Sequence, residues 1–306
     1  MRDGSLGAVL IYKFEQETIP SLPPLPEKKR LKIATMKVSH VGHKIGELLL
    51  KKSFELAIRN NILEIYITHF TEKIDYLVDL IQEYGCIKIA ILNRDWTVIP
   101  EDVYLKKIFI NDKDIKGISP FQISKLFYPN LYDGIRVKKH IVPIQPQYHE
   151  LLFTDYPGRQ TTLNEHMGQL IIEGNTIKKA YLSHSSSKKL ETGDILLFYR
   201  SVDVKSVVSL GVIENIFYDL TNPNEIISIV GKRTVYTFSE IKEIAKSPTT
   251  IILFNFHFHF KKSIKYKTLL NQRILKGPFQ SISEIDHDQY LFIKRRGGID
   301  ERFTFN

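Results

Sequence analysis

Apolar positions recur along this chain with two different periods. Gly7–Phe14 (GAVLIYKF) and Leu31–Val38 carry the β-branched and aromatic content of strands. Leu63, Ile65 and Ile67 alternate with polar neighbours, and Cys86–Leu92 and Asp102–Phe109 (DVYLKKIF) read as two further strands. Between them the spacing turns helical. In the stretch Ile45–Arg59, Ile45, Leu49, Leu50, Leu56 and Ala57 gather on one side, with Leu48, Phe54 and Ile58 widening the apolar margin. Glu47, Lys51, Lys52, Glu55 and Arg59 gather opposite, and Asn60–Asn61 is a stop. A second helix places Ile74, Leu77, Val78, Ile81 and Tyr84 at helical spacing and ends at Gly85. The predicted order is therefore β–β–α–β–α–β–β over residues 1–110. Thr18–Arg30, with four prolines and KKR, is expected as a stiff exposed loop between the first two strands.

The second half changes style. Asn111–Lys139 has linker composition at NDKDIKGISP, with a short helix expected in Phe121–Tyr132, and a domain boundary is placed near Lys139. Ile141–Phe153 predicts a strand and a short helix, and Lys178–Ser183 another strand. The run Leu190–Phe217 contains a turn, Gly193–Asp194, and two more strands of β-branched and aromatic residues. Short strands at this spacing suggest a small barrel with peripheral helices. ILFNFHFHF alternates strictly, which puts Phe254, Phe256, Phe258 and Phe260 on one face and Asn255, His257 and His259 on the other. His-x-His on a strand can chelate a metal, but no third ligand is identifiable and no metal is assigned. Gly277–Ile285 is expected as a turn plus a capped helix start, and RRGG as a flexible basic tail.

Composition narrows the function classes. The chain has 306 residues and a formal net charge of +9, which suits an anionic partner such as RNA, DNA or a phosphorylated cofactor. A basic protein whose lysines only keep it dispersed has the same balance. One cysteine, Cys86, excludes an internal disulfide framework and suits a reducing compartment. No apolar run has the length of a membrane span and the N-terminus lacks a signal pattern, so a cytoplasmic location is expected.

The stretch LKIATMKVSHVGHKIGELLL, a strand, a glycine turn and a helix N-terminus, resembles the acetyl-CoA-binding segment of the GNAT N-acetyltransferases. That family holds the CoA pyrophosphate on the amides of an [R/Q]-x-x-G-x-[G/A] turn. The resemblance implies acetyl-CoA contacts from Val38, Val41, Gly42, His43, Lys44, Ile45 and Gly46. Val41 and Lys44 depart from the signature, and His40 and His43 flank the turn. The family's usual tyrosine acid is replaced by Ile81. Tyr66, His69 and Tyr104 are the substitutes to consider, and the catalytic residue is left unknown. The elements the family carries ahead of the first strand are missing. The chain is therefore expected to be a fragment, a degenerate copy, or part of a longer polypeptide, with a homo-oligomer or a partner chain as a source of the missing strands.

Residues 137–293 resemble the PUA-like superfamily, in particular its ASCH and EVE branches, through Ile144–Leu152, Gly193–Ser201 and Gly211–Glu214. The ASCH G-x-K-x-x-E-x-R signature is only partly present at GNTIKKAY, so no enzymatic role is carried over. The resemblance implies binding of RNA or a modified nucleotide. Cations to contact phosphates would be Lys178, Lys179, Lys188, Lys189, Arg200, Lys232 and Arg233, with Tyr181, Tyr199 and Tyr236 close in sequence for stacking. The expected fold class is α+β: a GNAT-like mixed sheet with helices (1–110), a linker (111–138), and a PUA-like small β-barrel with peripheral helices (139–306). Two functions stay open: an N-acetyltransferase acting on an RNA-associated target, and a non-catalytic RNA or modified-base binder whose first half is structural.

Overall fold

The computed structural model describes residues 7–39, 44–92, 100–158 and 172–306. The chain divides into two units, Met1–Asn130 and Leu131–Asn306.

In the first unit β1 (Ala8–Ile19) and β2 (Leu25–Val38) form a long antiparallel hairpin. Then come α1 (Ile45–Arg59), β3 (Glu64–His69), α2 (Tyr76–Glu83), β4 (Ile87–Leu92) and β5 (Glu101–Lys107). The element order is the one the periodicity predicts. The sheet order is β1-β2-β3-β5-β4, with β3 parallel to β2 and β5 antiparallel to both of its neighbours. The hairpin outruns the expected Thr18–Arg30 loop, leaving only residues 20–24 outside the strands. In the extended register Glu15 lies opposite Arg30 and Glu17 opposite Lys28. Ion pairs hold each strand there: Lys28 and Arg30 with Glu64 of β3, and Lys13 with Glu15 and Glu17 along β1.

Leu31, Ile33, Ile65, Leu50, Phe54 and Ala57 are buried, as α1 packs on the sheet. Contrary to the predicted stripe, Glu47 and Lys51 are also buried. Position 47 shares a helix face with Leu50 and Phe54, and 51 with Phe54, so the geometry that buries the apolar residues takes both along. A second, smaller core of Ile19, Tyr66, Ala90, Leu92, Val103 and Leu105 lies on the other face, where Leu22 bridges Ile91 of β4. The stretch expected as linker carries α3 (Pro120–Leu126), started by a Ser119–Gln122 capping box with proline in the first turn. Lys106, buried inside the first unit, donates to the carbonyl of Leu126 at 3.1 Å and ties α3 down.

In the second unit β6 (Leu131–Tyr132) pairs with β13 (Thr304–Phe305), and the short helices α4 (Pro146–Leu152) and α5 (Ile172–Asn175) precede β8 (Lys178–Ser183). The main sheet runs β12 (Ser283–Ile285), β7 (Lys139–Ile144), β9 (Ile195–Arg200), β10 (Ser206–Leu220), β11 (Thr249–Lys265), β8. The expected barrel is not closed among the described residues, since β12 and β8 end the sheet without pairing. It is curved instead. β10 and β11 are long and carry register shifts that bend them, so Val142 and Ile144 of β7 share one core with Tyr181 of β8 and Phe254 of β11. The opposite face buries Ala180, Leu182, Ile251 and Leu253 under α6 (Pro223–Val230) and α7 (Phe238–Ile244).

The alternation expected in ILFNFHFHF breaks at a register shift. Leu210 pairs with Phe258 but Gly211 with Phe256, so His257 is skipped. Phe256 and His259 therefore stand on the same side, their rings 4.6 Å apart against Phe153, while Phe258 packs on Phe303. The expected basic tail is helix α9 (His287–Gly297), closed by left-handed Gly298. It is anchored at the buried Asp133 by Tyr290 (2.8 Å) and Lys294 (2.7 Å). Gly277–Ile285 supplies β12 rather than a helix start, and the α9 cap is Asp286.

Candidate nucleic-acid interface

The curved sheet leaves a gap between β7 and β8, spanned by one side chain: the Tyr181 hydroxyl donates to the Pro143 carbonyl. Outside that bond opens a cavity of about 960 Å³. Pro146 starts α4 (Pro146–Leu152) and sets Tyr148 in its first turn. There Tyr148 meets Tyr236, ring centroids 4.5 Å apart at 42°. From β9, Tyr199 meets Phe279 edge-on at 5.4 Å and Tyr266 at 6.4 Å. Tyr266 is the first residue of α8 (Tyr266–Asn271). With Tyr181 these make six aromatic rings around one cavity.

Among the described residues no carboxylate lines it. Burial raises the hydroxyl pKa of Tyr181, of Tyr199 (with Tyr266 adding to it) and of Tyr236 (with Tyr181, Tyr148 and Glu240 adding). These phenols therefore stay neutral and keep their protons. Gln145, Gln280 and Ser281 are exposed on the wall and make no side-chain hydrogen bond among the described residues. The lining suits a flat, uncharged ring with polar edges.

One cation lines the cavity and two more adjoin its Tyr266 in sequence. Lys205 lines the cavity, and its carbonyl accepts from the Tyr266 backbone N–H at 2.8 Å. Lys265 and Lys267 flank Tyr266 in sequence. All three are exposed, and none has an ion-pair partner among the described residues. The sequence signal for two of them is the run KKSIKYK, Lys261–Lys267, which the predicted cation set does not include.

That predicted set is placed differently. Lys179 is fully buried and donates to the Gly174 carbonyl at 2.8 Å. Lys178, 7 % exposed, and Arg233 converge on Glu214. Arg200, also 7 % exposed, is held by Asp203 and by Glu150 at 2.8 Å. Lys188 is exposed but paired with Asp219, while Lys189 and Lys232 are exposed. None of the seven lines the cavity. The predicted tyrosines Tyr181, Tyr199 and Tyr236 are brought together in it, joined by Tyr148, Tyr266 and Phe279.

Behind α4 lies a buried polar cluster. His149 is fully buried, with Arg200 Nη1 3.4 Å from its Nδ1 and no hydrogen-bond partner at Nε2. Burial first, then the Arg200 charge, holds its pKa down at about 3, so the ring is neutral. His259 is bonded to Ser209 at 2.9 Å and Asp155 at 3.2 Å. No group of three or more His, Cys, Asp or Glu side chains that could hold a metal is found among the described residues.

In the first unit, His40, Val41, Gly42 and His43 of the predicted acetyl-CoA cradle lie outside the described residues. Val38 ends β2, Lys44 is the left-handed N-cap of α1, and Ile45 and Gly46 begin the helix. Glu47, buried in the first turn with Lys44 Nζ 3.5 Å away, puts a carboxylate where the ligand's charge would seek the helix dipole. A Cβ at Gly46 would meet Leu80 Cδ2 at 2.8 Å, so its bareness serves packing against α2.

The substitutes for the acid do not converge. Tyr66 donates to Glu15 on the face that holds a second cavity of about 470 Å³. Tyr104 points to the other face, 2.8 Å from Thr71 Oγ1. His69 meets Asp75, the α2 cap, at 2.6 Å. Ile81 and Tyr84 are both buried.

No family model and no curated protein matches this chain. Among solved structures it is similar to ASCH from Zymomonas mobilis (14% identity, 52% of this chain, 94% of that chain, TM-score 0.39). It is also similar to protein Atu2648 from Agrobacterium tumefaciens (10% identity, 56% and 99%, TM-score 0.33). A third is human THYN1, in complex with 5-methylcytosine containing DNA (10% identity, 53% and 99%, TM-score 0.32). At these scores the likenesses carry no argument, and the site's own geometry does. No helix among the described residues is long and apolar enough to cross a membrane.

Proposed function

We propose that residues 131–306 bind nucleic acid, taking one unpaired base, plain or modified, into the six-ring cavity while Lys205, Lys265 and Lys267 hold adjacent phosphates. The observation that carries this is a cavity lined by six aromatic rings and, among the described residues, by no carboxylate, with exposed Lys205 in its lining and exposed Lys265 and Lys267 on either side of its Tyr266. Stacking is worth ~1–3 kcal/mol per base and tolerates any base face. The wall amides Gln145 and Gln280 can meet a base edge. A base inside a duplex cannot reach this cavity without unstacking, so single strands are the preferred form.

The test is a fluorescence titration with single-stranded RNA and DNA oligonucleotides, with and without a methylated base, at low and physiological salt. Saturable binding that weakens with salt, and is lost in Tyr148→Ala with Tyr236→Ala, is the expected result. Binding that survives both substitutions overturns the base-in-cavity reading, and no binding to any strand at low salt overturns the whole of it.

A further inference from the structure

β1 ends its sheet. Among the described residues no strand borders it on the side away from β2. It is twelve residues long, and it exposes Ile11 (53%), Tyr12 (40%) and Phe14 (43%). The Tyr12 and Phe14 rings sit edge-on at 5.7 Å. Long, apolar, uncovered edges are where a further strand adds.

The strand carries its own complement. Lys13 already sits between Glu15 and Glu17 on one face, 3.4 Å from the latter, and is half-exposed. About a two-fold axis normal to the sheet, antiparallel copies of β1 place residues of equal parity opposite each other. Centring on Lys13 or Glu15 sets like charges face to face, and centring on Tyr12 leaves Glu15 opposite Val9. Centring on Phe14 sets Lys13 opposite Glu15 of the copy, with Glu17 on the diagonal. It also stacks the two Phe14 rings, with Tyr12 diagonal to each, on the other face.

We infer that the partner of this edge is a second copy of the same chain, joined by antiparallel β1–β1 pairing centred on Phe14. The contact uses only the first unit and is independent of the nucleic-acid reading. Its test is sedimentation equilibrium of the full chain from micromolar to several hundred micromolar, together with two cysteine variants. In the inferred register Phe14→Cys faces itself, with Cβ atoms about 5 Å apart, and oxidises to a linked dimer. Gln16→Cys is then offset from its copy by four residues, about 14 Å, and stays unlinked. Cys86 is buried, so the parent chain serves as the unlinked control. Phe14→Arg, at an exposed position, abolishes self-association with an unchanged circular dichroism spectrum. A single-chain mass at every concentration, linkage of Gln16→Cys in place of Phe14→Cys, or a dimer that survives Phe14→Arg each overturns the inference.

Discussion

Tyr181 on β8, an end strand of the open sheet, donates its hydroxyl hydrogen bond to the carbonyl of Pro143 on β7, the strand next to the opposite end, so two strands that share no ladder are joined by a side chain. The aromatic cavity lies directly beside that bond. Tyr181→Phe leaves the Pro143 carbonyl without this donor and is expected to cost about 1–2 kcal/mol of stability in the second unit. It is also expected to weaken oligonucleotide binding several-fold, because the gap is no longer held to one width. Urea unfolding and fluorescence titration on the same variant check both.

Phosphate contacts reveal themselves through salt. Replacing Lys205, Lys265 and Lys267 by alanine is expected to lower the slope of log K against log salt by about 2 for a single strand, at ~0.7 per contact. Lys188→Ala, whose ammonium already pairs with Asp219, leaves the slope unchanged. A slope insensitive to the triple substitution places the phosphates elsewhere.

His149 makes the second unit acid-sensitive. Its native pKa of about 3 lies below the ordinary 6.5. Between those values the unfolded chain takes up a proton that the native ring refuses, so stability falls as pH drops through 6.5 towards 3 and is fully present above 6.5. The slope contribution approaches about 1.4 kcal/mol per pH unit. His149→Phe keeps a ring beside Phe153 and removes the unpartnered Nε2. It is expected to flatten this acid limb, measured as urea stability at pH 7, 6, 5 and 4.

The first turn of α1 predicts a negative result. With Glu47 buried there and Gly46 packed on Leu80, millimolar acetyl-CoA or CoA is expected to leave the unfolding temperature unchanged. A ligand present at 100 times its Kd would add about 2.7 kcal/mol, several degrees for a domain of this size. Such a shift would restore the acetyl-donor reading.

Gly85 joins sequence to packing. It stands at φ 80°, and a Cβ there would fall 1.7 Å from the Leu126 carbonyl oxygen. Gly117, at φ 76°, has open space around it. Gly117→Ala is expected to cost about 1 kcal/mol for left-handed backbone alone, and Gly85→Ala clearly more, about 3 kcal/mol, because α3 must also move. Thermal unfolding of the two variants separates the contributions.

Gly85 also shows how far local pattern reaches. Its place as a helix stop follows from the apolar spacing before it, and the same reasoning gives the strand and helix order of the first unit, because periods of two and near four are written in neighbouring residues. What reasons from neighbours misses is pairing at long range. The hairpin extends through Glu15–Glu17 by pairing with Lys28–Arg30, two of whose cations are held by Glu64 of β3. The skipped His257 turns Phe258 away from the core only because β10 pairs as it does.

The candidate site divides along the same line. Tyr181, Tyr199 and Tyr236 could be nominated from the chain, since aromatic and basic residues interleave there. Nothing in their spacing shows that Lys178, Lys179 and Arg200 are spent inside the fold, for the carbonyl and carboxylates that hold them come from other elements. The amino-acid order alone determined which segments become strands and helices, because that depends on which side chains face water locally. Only the tertiary structure decided which rings share a cavity and which lysines remain free for an anion, because that depends on the curvature of a sheet whose distant strands meet at Tyr181 and Pro143.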